Sequence, residues 1–354
     1  MYIQLFVAIP DYPEGAGPSP EAVAKIGETA GRSGTPVDLT GNVQAASQLE
    51  KAIRERGWRK DVIVLGPIKR PKFDIADLIV NCICDPAFHQ RSLETLATVV
   101  SQFKIPVLNH PWAVMGTSRA SSSYVLGHQA GVNMPLTARY DVESGTLAEH
   151  LARVGHTLPV LSRPVGAHGG LDLLRIGSAD KIPPPLDGLP SFLVTDFVDY
   201  VSPDGLYRKY RVIYVNDRLF RRHLVISDSW KVAGESRELM LARPELIEEE
   251  KTFLAGQGGD FEDRIIHQFR ALGLDFGVVD FNIAEDGGIT IFEINPCFQL
   301  TASIPPEKWE IWKHLEDTNE IIVDALLDAM EERARGAARR SRPASGAAAD
   351  RGAR

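Results

Sequence analysis

The chain has 354 residues, 44% of them hydrophobic and 24% charged. That balance excludes a disordered, collagenous or membrane-bundle protein, and at about 150 residues per unit the length allows roughly two to three compact domains. The net charge of −8 is unevenly spread: seven Arg and one Asp from Arg333 onward make a stretch of +6, leaving a body of −14. So acidic a body excludes nucleic acid as the main partner, because phosphate binding needs a basic surface.

Tyr2–Ile9 reads as a buried strand, since MYIQLFVAIP has no basic region ahead of its apolar run as a secretory leader would. A Pro/Gly-rich loop and a helix from Glu21 follow. Asp61–Gly66 and Ala76–Cys84 read as strands, a helix carries Leu93–Val100, and Ile105–Pro111 closes the unit. Apolar strands alternating with helices predict a parallel sheet covered on both faces over residues 1–110. Cys82 and Cys84 share a strand face and Cys297 is remote; with no CxxC or HxxxH they read as buried thiols in a reducing, cytoplasmic setting.

From Trp112 the texture changes. A helix spans Ser121–Ala130, two strands flank a Gly-rich turn over Leu158–Ile176, and KIPPPLDGLP connects to a strand in Phe192–Val201. Two alternating strands fill Tyr207–Ser227. On the first, Lys209 and Arg211 share a face, and on the second Arg221 and His223 do, so the four point into one cleft while Arg208 and Arg222 face solvent. A helix follows at Phe261–Gly273, and an amphipathic helix, Glu320–Arg333, closes the body. The Ala/Gly/Arg-rich residues 334–354 bury too little to offset ordering entropy and read as a disordered tail.

The stretch LDFGVVDFNIAEDGGITIFEINPCFQ, Leu274–Gln299, reads as two strands joined by a type I′ turn at Asp286-Gly287. About that centre Ile283 faces Thr290, Phe281 faces Phe292 and Asp280 faces Glu293. Alternation sets Asn295 beside Glu293 and the phenylalanines on the opposite face. Like charges facing across a sheet destabilise it by up to about 1 kcal/mol, so something must compensate them. Two acids and an amide oxygen suit a hard divalent ion such as Mg2+, which also takes nucleotide phosphates. The alternative is a solvent-facing edge whose acids spread apart.

Strand-Asp, hairpin and FEINP resemble the C-terminal signature of the ATP-grasp superfamily, whose carboxylate–amine ligases include D-alanine–D-alanine ligase, glutathione synthetase and peptide-tailoring ligases. Upstream, TSRASSSYVLGHQAGVNMPLT (Thr117–Thr137) resembles the family's basic residue, helix and Gly-(Ile/Val)-x-x-Pro-x-Thr. PVLSRPVGAHGGLDLLRI (Pro159–Ile176) resembles its lysine-bearing strand and phosphate loop, and FLVTDFVDY its adenine hinge. The implied fold is mixed α/β and α+β: a parallel-sheet, Rossmann-like pre-ATP-grasp domain (1–110), then a two-lobed ATP-grasp body (111–333) with a small lobe over 111–188 and a large lobe over 189–333.

The resemblance implies residue roles. Asp280, Glu293 and Asn295 would hold Mg2+ (or Mn2+). Arg119 and Arg163 occupy positions where the family places lysines, an exchange that keeps the charge but changes the geometry. Gly169 and Gly170 would cradle phosphates, with His168 a loop donor or an exposed residue. Asp196, Phe197 and Val198 would hold adenine. Arg211 would lie near the transferred phosphate, Lys231 in a loop closing over it, and His223 in the same cleft. Val278 and Val279 stand where some ligases carry an Arg.

The implied activity is ATP-dependent joining of a small-molecule or peptide carboxylate to an amine through an acyl phosphate, releasing ADP and phosphate. A hydroxyl kinase and a nucleotide-binding module without catalysis are the alternatives. The substrate pocket is expected to draw on the loops after Ile9 and around Asp85–His89, and Cys297 to be a packed thiol. Homodimers are common in the family, and no nucleic-acid or membrane partner is expected.

Overall fold

The computed structural model describes residues 1–9, 11, 46–66, 74–127, 131–165, 172–180, 182, 189–256, 258–296, 298, 300, 304 and 306–341. The helix expected from Glu21 lies outside them, as do His168, Gly169, Gly170 and Cys297.

Strand β1 (Tyr2–Ala8), helix α1 (Ala46–Glu55), β2 (Arg59–Leu65), β3 (Leu78–Asn81), α2 (Pro86–Phe103) and β4 (Val107–Leu108) build the first unit. Its sheet has the order β2-β1-β3-β4 and is parallel throughout. Both faces of β1 are buried, as its run, apolar from Leu5 to Ala8, requires. Phe6 and Ala8 pack with Ile79 and with Leu93, Leu96 and Val100 of α2. Ile3, Leu5 and Val7 pack on the other side with Leu49 and Ile53 of α1. Asp85 caps α2 by accepting from Ala87 N at 2.8 Å, and Pro86 begins the helix where a missing N–H costs nothing. Cys82 and Cys84 are buried, and Cys84 Sγ lies 3.2 Å from the Cys82 carbonyl oxygen.

Helices α3 (Pro111–Met115) and α4 (Arg119–Leu126) lead to β5 (Val132–Asn133), β6 (Thr137–Asp141), α5 (Leu147–Val154), β7 (Val160–Pro164), β8 (Leu174–Ile176) and β9 (Ser191–Asp196). The last four strands form an antiparallel sheet of order β6-β9-β7-β8, under which α5 packs Leu147 and Leu151 against Tyr140, Phe192 and Val194. Strands β10 (Tyr207–Val215) and β11 (Arg218–Ser227), helices α6 (Arg237–Ala242), α7 (Pro244–Ala255) and α8 (Asp260–Leu272), and strands β12 (Phe276–Ile283) and β13 (Ile289–Asn295) follow. The chain closes with α9 (Trp309–Trp312) and α10 (Asn319–Ser341). The central sheet has the order β11-β10-β12-β13-β5.

The lobe boundaries differ from those expected. Strand β5 pairs with β13, and Val114, Leu126, Val132 and Met134 share a core with Phe269, Phe281 and Ile291, so residues 111–134 belong with the five-stranded sheet. Conversely β9, on the large-lobe side of the expected boundary at 189, lies inside the four-stranded sheet. The physical reason is that apolar surface is matched in space: β5 covers the open edge of β13 that no later strand fills. The final helix also runs past Arg333 to Ser341, so residues 334–341 are helical rather than disordered. Ile322, Leu326 and Met330 anchor it in the core, and Ala and Arg propagate an anchored helix at little cost.

Two irregularities shape the central sheet. Strands β10 and β11 join through Asn216-Asp217, both at positive φ (44° and 65°), the conformation of a type I′ turn. The pairing then shifts between Arg211 and Val212, leaving Arg222 as an extra residue. The Asp286-Gly287 hairpin is not the two-residue turn expected. Ala284 N donates to Gly288 O and Gly287 N to Ala284 O, with Gly287 at φ 78°, which makes a three-residue loop. Ile283 therefore faces Ile289 and Phe281 faces Ile291, and an extra residue at Phe292 restores the expected Asp280–Glu293 pair.

Asn109 ties the first sheet to the central one. Its backbone sits at φ 55°, and its side chain donates to Phe276 O at 2.9 Å and accepts from Asp275 N at 2.8 Å. Asn81 donates to its carbonyl at 3.0 Å.

Candidate active site

Four strands carry one transverse row of functional side chains. His223 on β11 pairs with Arg211 on β10, Arg211 with Asp280 on β12, and Asp280 with Glu293 on β13. The row lines a cavity of about 610 Å3 between the central sheet and the four-stranded sheet, within the range of small-molecule sites.

Asp280 is buried and Glu293 half-buried, and each has a cationic partner. Arg211 grips Asp280 with two parallel bonds, Nε to Oδ1 at 2.5 Å and Nη2 to Oδ2 at 2.7 Å, and Lys209 Nζ stands 3.9 Å from Oδ2. Burial alone would raise the Asp280 carboxyl, but Arg211 and Lys209 reverse that and hold it well below the usual carboxylate range. Arg119, the first residue of α4, donates Nη2 to Glu293 Oε1 at 2.5 Å. Burial and Asp280 would lift Glu293, yet Arg119, Arg163 and a hydrogen bond from Asn295 bring it down to about 2. The like-charge pair is thus held fully ionised.

Burial and the neighbouring Arg119 charge draw Arg163 down to about 10 against the pull of Glu293. Burial, then Arg211, pushes His223 well below its ordinary value, so the ring is a neutral hydrogen-bonding group rather than a cation. Lys209 is lowered by burial and donates to Val232 O at 2.7 Å, which ties the 228–234 loop to the row.

Asp280, Glu293 and Asn295 form a hard-oxygen donor set. Among the described residues no group of three or more His, Cys, Asp or Glu gathers that could hold a metal ion by itself. Two ionised carboxylates and an amide, with cations around them for phosphate oxygens, fit Mg2+ that shares its shell with a nucleotide.

Arg119, Arg163, Asp196, Phe197, Val198, Arg211, His223, Lys231, Asp280 and Glu293 all line the cavity, and Asn295 sits beside Glu293. Pro135 and Thr137 of the Gly-x-x-x-Pro-x-Thr stretch line it too, with Thr137 Oγ1 2.9 Å from Thr195 Oγ1. Other expectations are corrected. The extra residue at 222 turns Arg221 to the opposite face, where it donates to Phe253 O at 2.8 Å and to Gly258 O at 2.6 Å. Arg222 is buried and donates to the carbonyls of Leu300 and Leu315, and Arg208 pairs with Glu249 at 2.6 Å, so neither simply faces solvent. Asp85–His89 do not line this cavity, Asp85 capping α2 and His89 being wholly buried, and the loop after Ile9 lies almost entirely outside the described residues.

No family model and no curated protein matches the chain by sequence. As a structure it is similar to D-alanine–D-alanine ligase from Bacillus anthracis complexed with ATP, at 12% identity over 96% of this chain and 100% of that one, with a TM-score of 0.54. A second structure of that ligase gives 11% identity over 96% and 99%, with a TM-score of 0.52. The chain has the ATP-grasp fold. Among its described residues no helix is long and apolar enough to cross a membrane.

The cavity has a wall that no sequence motif announces. Ile304, Lys308, Trp312 and Leu315 line it, and Arg222 pins the backbone of that segment from beneath. Arg237 also lines it, stacked 4.4 Å from the Trp312 ring and held by Glu250 at 3.0 and 3.1 Å. These residues match no short motif. The one available signal was Trp309-x-x-Trp312, of which Trp312 is buried and Trp309 exposed.

Proposed function

We propose that the protein is an ATP-dependent ligase joining a small-molecule or peptide carboxylate to an amine. The observation that carries this reading is that the His223–Arg211–Asp280–Glu293 row, Asp196–Val198, Arg119 and Arg163 all line one cavity. In this reading Asp280, Glu293 and Asn295 would hold Mg2+, which would supply charge neutralisation at the phosphates.

The remaining work falls to the chain's own groups. Arg163 and Arg119 orient the phosphates. Arg211 and Lys209 stand where charge grows as a substrate carboxylate oxygen bonds to the γ-phosphorus and the bond to ADP breaks. An amine then attacks the acyl carbon, phosphate leaves with the bonding pair, and the amine proton passes to solvent. Lys231, at the cavity wall in the 228–234 loop, would exclude water from the acyl phosphate. The carboxylates' pairing with Arg119 and Arg211 favours one other reading, a module that binds nucleotide without turnover.

Incubation with ATP, Mg2+ and a panel of carboxylates and amines tests all of this by following ADP and orthophosphate. A ligase releases both only when both substrates are present. A hydroxyl kinase releases ADP without orthophosphate, and a non-catalytic module releases neither.

A further inference from the structure

Beside the hinge, outside the row, lies a histidine for which the proposed chemistry has no use. His156 follows the C-terminus of α5, where Gly155 at φ 89° turns the chain and His156 N donates to Leu151 O at 3.0 Å. Its side chain has no exposure, and its Nδ1 lies 2.7 Å from Asp196 Oδ1. A carboxylate only accepts hydrogen bonds, so Nδ1 carries the proton. Nε2 is buried and, among the described residues, has no hydrogen-bond partner. The ring is therefore a one-purpose donor aimed at one carboxylate oxygen. A buried polar atom left unsatisfied is a cost that a purely apolar filler would avoid.

Asp196 is placed to use that support. It ends β9, with its backbone N bonded to Leu136 O at 3.0 Å, and a third of its side chain (34%) remains exposed. It lines the cavity next to Phe197, whose ring is clamped between the Arg175 guanidinium at 4.1 Å and Trp230 at 5.8 Å. Backbone and neighbours are thus fixed, and the one remaining freedom is rotation of the carboxylate. His156 removes it, taking Oδ1 within the wall and leaving the other acceptor capacity on the exposed part.

We propose that His156 is a positioning residue for base recognition, holding Asp196 as a fixed acceptor for an exocyclic amine of the nucleotide base. This rests on the nucleotide reading of the cavity. Adenine offers such a donor at N6, whereas purine riboside carries none.

The test compares KM for ATP and for purine riboside triphosphate in the wild type and in His156→Leu, His156→Asn and Asp196→Ala. Loss of one charge-assisted hydrogen bond corresponds to about tenfold or more. The wild type should therefore prefer ATP by about tenfold. His156→Leu should bring the ratio close to one by raising KM for ATP, with kcat changed by less than about twofold. His156→Asn, whose amide can donate from the Nδ1 position, should restore the preference. Asp196→Ala should abolish it, which keeps the test decisive should the leucine variant fold poorly. An unchanged ratio in a folded His156→Leu protein, a wild type indifferent to the N6 amine, or a fall in kcat alone would overturn the proposal. A wild type that binds neither triphosphate would instead overturn the nucleotide reading itself.

Discussion

Removing the Glu250 carboxylate should destabilise the wall beneath the cavity. Glu250 is wholly buried on α7 and accepts four hydrogen bonds: from Leu224 N at 3.1 Å, Arg237 at 3.0 and 3.1 Å, and His314 Nε2 at 3.3 Å. Glu250→Ala strands all these donors. Breaking a buried ion pair by deleting one partner costs about 3–5 kcal/mol. The Arg237 side chain is 19% exposed and can turn toward cavity water, which puts the cost near the lower end, about 3 kcal/mol. At about 2–4 °C per kcal/mol for a sizeable domain, Tm should fall by roughly 6–12 °C. Urea unfolding at neutral pH with an unchanged m-value is the assay.

The acid limb of the same experiment separates charge from shape. Burial would raise the Glu250 carboxyl, but His314 and Arg237 carry it below its ordinary value of 4.5, with Arg222 a further cation nearby. A depressed folded-state pKa contributes stability that is present above the unfolded value and lost as pH falls through the folded one. The gap between wild type and Glu250→Gln should therefore narrow below pH 4.5. A loss under about 1 kcal/mol for the alanine variant, or a gap to glutamine that stays constant into acid, would refute the reasoning.

Asp280→Asn and Glu293→Gln should each abolish ADP formation while leaving Tm within a few degrees, and full rates at saturating Mg2+ in either variant would count against the metal assignment. Arg211→Ala should lower kcat by about 10²–10³ with little change in KM for ATP, because its proposed contact strengthens in the transition state. A KM effect alone would make it a ground-state binder. Gly277→Ala should destabilise the protein by about 1–3 kcal/mol, because the added carbon would sit 2.6 Å from Asn295 O and 2.9 Å from Phe269. A neutral result in thermal unfolding would show that β13 yields at that point.

The parallel sheet was legible because its strands are apolar on both faces and its helices periodic, signals that act locally. The cavity residues were legible where they fall in short motifs: the Asp196–Val198 stretch, the FEINP pair, and the alternating Lys209 and Arg211. The wall from Ile304 to Leu315 was not, since it depends on carbonyls of Leu300 and Leu315 meeting Arg222, a contact between distant segments. Lobe membership was misplaced for a related reason: β5 pairs with a strand more than 150 residues later, and nothing near Val132 in the sequence points to Ile289.

The Asp280–Glu293 pairing was anticipated for an incomplete reason. With the observed three-residue loop and regular pairing throughout, Asp280 would face Phe292, and Glu293 would turn into the core beside Val279. The extra residue at Phe292 returns the carboxylate to the cavity face and leaves the Phe292 ring lining it, 4.7 Å from Tyr200. The other hairpin repeats the device. From the Asn216-Asp217 turn, regular pairing would set Arg211 against Arg222, two cations directly opposed. The extra residue instead puts neutral His223 there and sends Arg222 to pin the far wall. Both bulges border the Arg211–Asp280 pair, one on each side of the row. β-bulges re-aim side chains next to functional sites, and here each exchanges an unfavourable neighbour for a useful one. In each strand the extra residue sets two residues of like type side by side, Ile291-Phe292 and Arg221-Arg222, but the row itself becomes visible only once the strands are paired.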